Sequence, residues 1–334
     1  MKAASTNRVL VTGASGFVGL ALIGRLIDGC FESKAISRKP LQLADSKLQN
    51  IIIPDLNSTV DLSSYLDGIG VVVHLAGRVH MMNDAGDDNL TKYRSANVDS
   101  TINLARQAAA LGVRRFIYIS SIKVNGEFTF GEDKFFADDH PNPEDPYGIS
   151  KLEAEVALKK LAKETGLEVV IIRPPLVYGP KVRANFASMM NWLYKGIPLP
   201  FGMVKNRRSL VSLDNLVDLI ITCIDHRNAA NQTFLVSDDH DVSTTTLLKS
   251  MSTALGKKSI LAPIPAFILR AFFFSFGRKK LSQRLLSSLQ VDITKTKELL
   301  NWKPPLSFEE SIRLTALDFL NNRHANNKYF QYKD

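Results

Sequence analysis

The segment that most constrains the fold lies near the N-terminus, where a short β-branched run leads into closely spaced glycines and an apolar helical pattern. The run spans residues 8–11, and the glycines are Gly13, Gly16 and Gly19. A strand, a tight turn and a helix in this order are typical of a dinucleotide-binding unit. Gly13 permits the turn, Gly16 lets the backbone approach a pyrophosphate, and Gly19 lets the helix pack closely on the strand. We therefore predict a phosphate-binding turn at the start of a helix.

The rest of the first half alternates short apolar runs with helical patterns. Strand candidates are 34–37, 51–53, 71–74, 116–120 and 168–172, and helical patterns cover 17–28, 95–111 and 147–165. Apolar strands separated by helices indicate a parallel sheet covered on both faces. We predict an α/β fold with a Rossmann-type doubly wound parallel sheet, formed by residues 1–175 and part of 205–240. Residues 176–204 and 241–325 would form a smaller C-terminal substrate-binding lobe.

Composition narrows the class of protein. The chain has 334 residues, of which 45% are hydrophobic and 22% charged, so it is globular rather than disordered. Cys30 and Cys223 show no metal-ligand spacing, and we expect both in the core, with no metal site. The polar N-terminus does not resemble a secretory signal, and few cysteines fit a reducing compartment, so we expect a cytoplasmic protein.

The net charge of +9 is concentrated late in the chain. Residues 257–303 contain ten Lys and Arg residues and only two acids, a local net charge of +8. This segment is a solvated basic face, a site of attraction for a diphosphate-bearing substrate, or a contact with an anionic surface. Binding to nucleic acid is not expected, because no aromatic and basic binding motif accompanies the charge.

The residues after the second strand bear on the choice of cofactor. An acid there would bind the adenosine ribose hydroxyls of NAD, but the sequence has Ser37, Arg38 and Lys39. A guanidinium can hold a 2′-phosphate through charge-assisted hydrogen bonds. We therefore favour NADP(H), with NAD(H) as the alternative in which Arg38 is an exposed loop charge.

A Tyr–Lys pair opens the helical pattern after residue 146. Tyr147 and Lys151 are four residues apart, so both side chains share one helix face. A nearby ammonium lowers the pKa of a phenol, which would make Tyr147 a usable acid or base near neutral pH. Ser121 follows the strand candidate at 116–120, and its hydroxyl would emerge at the carboxyl edge of the sheet, where such folds bind ligands. We predict that Ser121, Tyr147 and Lys151 form a catalytic group.

Taken together, the motifs resemble those of the extended short-chain dehydrogenases/reductases, in particular the NAD-dependent epimerase/dehydratase family. They are TGASGFVG at 12–19, HLAG at 74–77, Asn97, SSIKVNG at 120–126, YGISK at 147–151, RPPLVYGP at 173–180 and RSLVSLD at 208–214. The resemblance covers nearly the whole chain. It specifies the family far better than the reaction.

The resemblance implies a role for each matching residue. Ser121 would bind the sugar oxygen, Tyr147 would pass the proton, and Lys151 would hold the nicotinamide ribose. The cofactor-binding residues would be Gly13, Ser15, Gly16, Phe17, Val18, Gly19, Ser37, Arg38, Asp55, Leu56, Leu75, Ala76, Gly77, Asn97, Tyr147, Lys151 and Pro174. Asn185, Arg208 and Arg284 would meet the diphosphate of a UDP-sugar, with a plain surface charge as the alternative for Arg284. His74 is expected to be a core residue.

The resemblance leaves two reactions at C4 of a hexose. Family dehydratases carry an Asp-Glu pair where this chain has Ile122 and Lys123, so dehydration is disfavoured. Our first hypothesis is an NAD(P)H-dependent 4-reductase of a UDP-4-keto-6-deoxy-N-acetylhexosamine, because residues 120–127 resemble bacterial enzymes that form UDP-N-acetylquinovosamine. The alternative is a 4-epimerase of UDP-glucose, UDP-N-acetylglucosamine or a lipid-linked sugar. Either reaction would supply precursors of surface polysaccharides such as O-antigen or capsule.

Two further hypotheses concern partners and loss of activity. A non-catalytic dinucleotide sensor would usually lack the Tyr or the Lys, and both are present. The apolar stretch 264–276, followed by basic residues 278–280, is too short to span a bilayer and would form a buried or subunit-contact helix. Its alternative is peripheral contact with the inner face of an anionic membrane. The family resemblance also implies a homodimer.

Overall fold

The computed structural model describes residues 5–78 and 89–330. In chain order the strands are β1 (Ser5–Thr12), β2 (Glu32–Ser37), β3 (Leu48–Ile52), β4 (Ile69–His74), β5 (Arg115–Ile119), β6 (Glu168–Arg173), β7 (Leu176–Tyr178), β8 (Leu210–Ser212) and β9 (Thr233–Leu235). A seven-stranded sheet has the order β3-β2-β1-β4-β5-β6-β9, and every neighbouring pair is parallel. β7 and β8 form a separate parallel pair.

Helices follow most strands. They are α1 (Phe17–Asp28), α2 (Ser63–Leu66), α3 (Asn89–Arg94), α4 (Ser100–Ala110), α5 (Pro146–Thr165), α6 (Ala184–Tyr194), α7 (Leu213–Asp225), α8 (Thr244–Ala254), α9 (Ala266–Ser275), α10 (Lys279–Leu286), α11 (Thr294–Leu300) and α12 (Phe308–Phe330). Shorter turns of helix lie at Ser95–Asp99, which is π-helical, and at Ile122–Val124 and Arg227–Ala229, which are 3-10.

Apolar residues cover both faces of the sheet. α1 contributes Leu22 and Leu26 to the core on one face, where α7 also packs. On the other face, α4 and α5 contribute Leu104 and Leu158. This arrangement confirms the predicted doubly wound parallel sheet.

A third core belongs to the later part of the chain. Its buried residues come from segments around β7, α6, β8, α8, α9 and α12 and include Tyr178, Phe186, Met190, Leu248 and Phe308. Each helix of this core buries one apolar face against the others, and none of them adds a strand to the large sheet. The residue limits given above for the two lobes remain a prediction.

The amino edge of the sheet is held by ion pairs away from the glycine turn. Arg115, only 1% exposed at its side chain, lies 2.7 Å from the Glu168 carboxylate. Its guanidinium also donates to the carbonyl oxygen of Cys223, at 2.6 Å. These contacts join the starts of β5 and β6 to the end of α7.

Several local expectations need correction. The predicted helix at 95–111 begins with the π-helical turn Ser95–Asp99 before α4. Cys30 is exposed rather than buried, because it lies beyond the end of α1 with a left-handed backbone (φ 64°) that turns it out of the helix. Cys223 and His74 are buried as expected. In the described parts of the chain, no helix combines the length and apolar character needed to cross a membrane.

Candidate active site

The turn between β1 and α1 has the shape that a pyrophosphate requires. Gly13 has φ +68°, and a Cβ built there would lie 2.7 Å from the backbone nitrogen of Ala76. A Cβ on Gly19 would collide with the Gly13 carbonyl oxygen. Gly16 caps α1 with an extended backbone and no side chain, and the first turn of α1 carries no acid. The N–H groups at the start of α1 are therefore suited to bind phosphate, with Ser15, Phe17 and Val18 in the same segment.

His74 joins the ends of β1 and β4 beneath this turn. Its Nδ1 lies 2.7 Å from the Thr12 hydroxyl and its Nε2 lies 2.9 Å from the Thr101 hydroxyl. Because Thr101 already donates its proton to the Asn97 carbonyl, at 2.8 Å, it accepts from Nε2–H. Complete burial lowers the pKa of His74 to about 3. His74 is therefore a neutral structural residue.

The segment after β4 meets the π-helical turn and α5. The Asn97 side-chain oxygen accepts from the Arg78 N–H at 2.7 Å, and its amide donates to the Ser150 hydroxyl at 3.0 Å. A Cβ on Gly77 would lie 3.0 Å from the Asn97 oxygen and 3.6 Å from the Lys151 ammonium. The structure thus brings three predicted cofactor-lining residues, Gly77, Asn97 and Lys151, close together, directly after Leu75 and Ala76 in the fold.

Ser121 and Tyr147 lie together at the carboxyl edge of the sheet. Ser121 immediately follows Ser120 at the end of β5, and its side chain is within hydrogen-bonding range of Tyr147. The ring of Tyr93 meets the ring of Tyr147 edge-on, with centroids 6.0 Å apart. Burial raises the pKa of Tyr147 to about 12, with a smaller contribution from Asp145, while the hydrogen bond with Ser121 lowers it. The expected lowering of this pKa is therefore wrong, since desolvation of the phenolate is the largest effect.

Lys151 is buried one helical turn from Tyr147. Its ammonium donates to the Ile119 carbonyl at 2.8 Å and lies 4.5 Å from the centroid of the Tyr118 ring. Burial lowers the pKa of Lys151 to about 8, although the Glu155 carboxylate raises it. The ammonium is thus held at the carboxyl end of β5, close to Gly77.

A buried ion pair beneath these residues was missed by the sequence analysis. The carboxylate of Glu155 pairs with the guanidinium of Arg173, at 2.6 Å, and accepts a 2.5 Å hydrogen bond from the Ser120 hydroxyl. Arg173 also donates to the Asn125 side-chain oxygen at 2.9 Å. One signal was available: Glu155 lies four residues after Lys151, so it shares the helix face that meets the sheet.

Alternating charges run from Tyr147 towards the C-terminal lobe. The Lys123 ammonium lies 2.5 Å from Asp145 and 2.6 Å from Glu127. Asp145 also caps α5, since its other oxygen accepts from the Gly148 N–H at 2.7 Å. Glu127 and Arg284 both lie close enough to Arg208 to act on its guanidinium electrostatically. Burial, followed by repulsion from Arg284, lowers the pKa of Arg208 to about 10, while Glu127 raises it.

Two guanidiniums that repel each other make a region of positive charge suited to an anion with two phosphates. Arg208 is fixed by donation to the Ser287 carbonyl at 3.0 Å. The structure therefore brings together two of the three residues expected to meet the diphosphate. Asn185, the third, is exposed in the first turn of α6.

The remaining predicted cofactor residues lie at neighbouring strand ends. Ser37 ends β2 and donates to the Lys39 carbonyl at 2.6 Å, and Arg38 is exposed. Asp55 is exposed after β3 and accepts from the Asn57 amide at 3.1 Å, and Leu56 packs partly against the core. Pro174, directly after β6, accepts a 3.0 Å hydrogen bond from the Ile122 N–H. Their cofactor contacts remain predictions.

Comparison with known proteins relates the sequence of this chain to a family. The profile of the NAD dependent epimerase/dehydratase family matches residues 9–237. A Vibrio cholerae protein named UDP-glucose 4-epimerase is 48% identical, over 96% of this chain and 97% of that protein.

Two further matches are less similar in sequence. An Escherichia coli O157:H7 protein named N-acetyl-alpha-D-glucosaminyl-diphospho-ditrans,octacis-undecaprenol 4-epimerase is 27% identical, over 82% of this chain and 80% of that protein. The crystal structure of UDP-glucuronic acid 4-epimerase from Bacillus cereus in complex with NAD has a TM-score of 0.76 and 22% identity, covering 94% of this chain and 99% of that chain. This structural likeness confirms the fold. The comparisons give no support to a preference for NADP(H).

Proposed function

The chain belongs to the NAD-dependent epimerase/dehydratase family, and on that premise we propose that it is a UDP-hexose 4-epimerase. The observation that carries the proposal is the grouping of Ser121, Tyr147 and Lys151 beside the glycine turn. The Vibrio cholerae relative supports the epimerase alternative over the reductase that was our first hypothesis.

Ser121, Tyr147 and Lys151 each have a separate role in the proposed reaction. The glycine turn and Lys151 would hold NAD, which when bound would supply the acceptor and donor of the C4 hydride. Tyr147 takes the proton from the C4 hydroxyl and gives it back after the sugar has turned over. Ser121 hydrogen-bonds the same oxygen and orients it towards Tyr147. Lys151 would hold the ribose hydroxyls of the cofactor, because its ammonium lies beside Gly77.

Binding of the nucleotide end depends on charge. Arg208 and Arg284 hold the diphosphate, because two guanidiniums that repel each other gain stability when an anion lies between them. Asn185 donates to the same group from α6. The hexose then lies between this pair and Tyr147, alongside Glu127.

The cofactor in this proposal is NAD(H), retained between turnovers. The uncapped start of α1 and the close approach of Gly13 to Ala76 suit a dinucleotide phosphate, whichever adenosine ribose is attached. Arg38 is then a solvated loop charge. We further propose that the protein is a homodimer and is located in the cytoplasm. Its product would be a UDP-sugar used to build surface polysaccharides.

The test combines two measurements on purified protein. Mass spectrometry of the denatured enzyme should detect released NAD, and added UDP-glucose or UDP-N-acetylglucosamine should be converted to its C4 epimer without further coenzyme. The reductase becomes the better assignment if the protein releases no cofactor and oxidises NADPH stoichiometrically with a UDP-4-keto-6-deoxy-N-acetylhexosamine.

A further inference from the structure

Helix α9 lies on the surface and turns aromatic side chains to the solvent. Only Leu269 and Phe273, one turn apart, are buried among its residues. Phe267 and Phe274 are 72% and 74% exposed. They are seven residues apart, which is two helical turns, so they project from one side of the helix, away from the buried pair.

The exposed apolar area extends beyond these two side chains. Ile268, Phe272 and Phe276 are also exposed, and we call the five residues together the α9 apolar face. Single apolar side chains on a surface need no explanation, but a contiguous group on one helix marks an interaction site. The bilayer, a second copy of the chain and another protein are the candidates for what covers it.

The basic residues around α9 favour one of these three candidates. The exposed residues Arg270, Arg278 and Lys279 lie within or directly after α9. No Asp or Glu occurs between Lys257 and Val291. A symmetric contact between two copies of this face would bring like charges together, which costs free energy. An anionic surface instead complements both the charge and the aromatic groups.

We propose that α9 lies flat on an anionic phospholipid bilayer. The α9 apolar face enters the region between headgroups and acyl chains, and the basic side chains contact lipid phosphates. Ten residues of helix are about half the length needed to span a bilayer and suit an interfacial position.

This contact would place the substrate lobe at the membrane surface. α10 packs against α9 and carries Arg284. The end of α10 is tied to the lobe because the Asn206 amide donates to the carbonyls of Leu285 and Ser287, at 3.3 and 3.0 Å. The docking proposal does not depend on which sugar is epimerised.

Flotation of the full chain with vesicles tests the proposal. Phosphatidylcholine vesicles containing phosphatidylglycerol should carry the protein upward, pure phosphatidylcholine should not, and raised salt should release it. F267S/F274S should weaken vesicle affinity by at least about tenfold, because two large apolar groups leave the bilayer. R278Q/K279Q should weaken it in the same direction and reduce the salt dependence.

The matched control is L111S, which removes an apolar side chain of the sheet domain that is 43% exposed. This variant should float as the wild type does. Conversion of UDP-sugars without vesicles should be unchanged in all three variants, which separates this proposal from the proposed reaction. Wild-type protein that stays in the soluble fraction at low salt would overturn it. So would a fall in oligomeric state of F267S/F274S during sedimentation, because the face would then join two copies.

Discussion

The Glu155 carboxylate and the Arg173 guanidinium form an ion pair in which the side chains are only 1% and 2% exposed. The pair joins the middle of α5 to the end of β6. Through Ser120 it also reaches the end of β5. The two elements that carry Ser121 and Tyr147 are therefore held together by charges that water does not reach.

Glu155→Gln should destabilise the protein strongly, because the Arg173 guanidinium would keep its charge in a buried place without a carboxylate. We expect the free energy of unfolding to fall by about 3–5 kcal/mol, measured by urea denaturation. Glu153→Gln is the matched control on the same helix, since Glu153 pairs with the half-exposed Arg94 and should cost less than about 1 kcal/mol. Equal losses in the two variants would contradict this account of α5.

Tyr147→Phe should abolish proton transfer and leave the fold intact. We expect kcat to fall by about 10²–10⁴, the usual contribution of general acid–base catalysis, in an assay of UDP-sugar epimerisation. Tyr93→Phe keeps the ring that meets Tyr147 edge-on and should retain most of the activity. Biological activity that survived Tyr147→Phe would instead indicate a dinucleotide sensor.

Lys123 is expected to position α5 and to neutralise Asp145. In Lys123→Met, Asp145 would lose its ammonium partner and would raise the pKa of Tyr147 further, because its charge already acts in that direction. The rise of kcat with pH should therefore move to higher pH, with little change in KM. Lys123→Arg should restore the wild-type profile, and an unshifted profile in Lys123→Met would show that Lys123 has no such role.

Arg208→Gln or Arg284→Gln should raise KM for the UDP-sugar by at least about tenfold, since each removes a charge-assisted hydrogen bond to phosphate. The double variant should lose less than the sum of the two effects, because each arginine is relieved when its neighbour is removed. Steady-state kinetics with UDP-sugar measure both effects. Strictly additive losses would argue that the two side chains bind separate groups.

His74 should make the fold sensitive to acid. Its pKa is about 3 when folded, whereas an unfolded histidine titrates near its usual value, so only the unfolded state binds this proton between these limits. Stability from this group is full above the unfolded pKa and falls by roughly 1.4 kcal/mol per pH unit as the pH drops towards 3. His74→Gln can keep hydrogen bonds to Thr12 and Thr101 without titrating. Denaturation curves between pH 7 and about 4 should show a shallower decline for this variant, and parallel declines would exclude His74 as the cause.

Much of the sheet could be predicted because its strands are apolar on both faces. The first turn could be predicted because Gly13 and Gly19 lie where a Cβ would collide with the backbone. α1 was predicted with its observed bounds, Phe17–Asp28. The strand ends differed by a few residues, as for β3, because hydrogen bonds to neighbouring strands extend a pairing beyond the most apolar residues.

What escaped prediction depends on contacts between distant segments. Glu155 and Arg173 are ordinary charged residues in the sequence, and only packing of α5 on β6 makes them a buried pair. The pKa of Tyr147 could not be predicted for the same reason, since spacing along a helix reveals the neighbouring ammonium but not the burial of the phenol. Arg208 and Arg284 could be named separately, whereas their closeness depends on how α10 folds back on the lobe.

The ion pairs at the amino edge of the sheet have a consequence for adaptation. Arg115 and Glu168 join the strands at the end opposite the glycine turn, so we expect substitutions there to affect stability more than turnover. In this parallel sheet the amino ends of the strands lie at one edge and the active-site residues lie at the other. Residues that adjust stability and residues that carry out the reaction are therefore separated by the length of a strand.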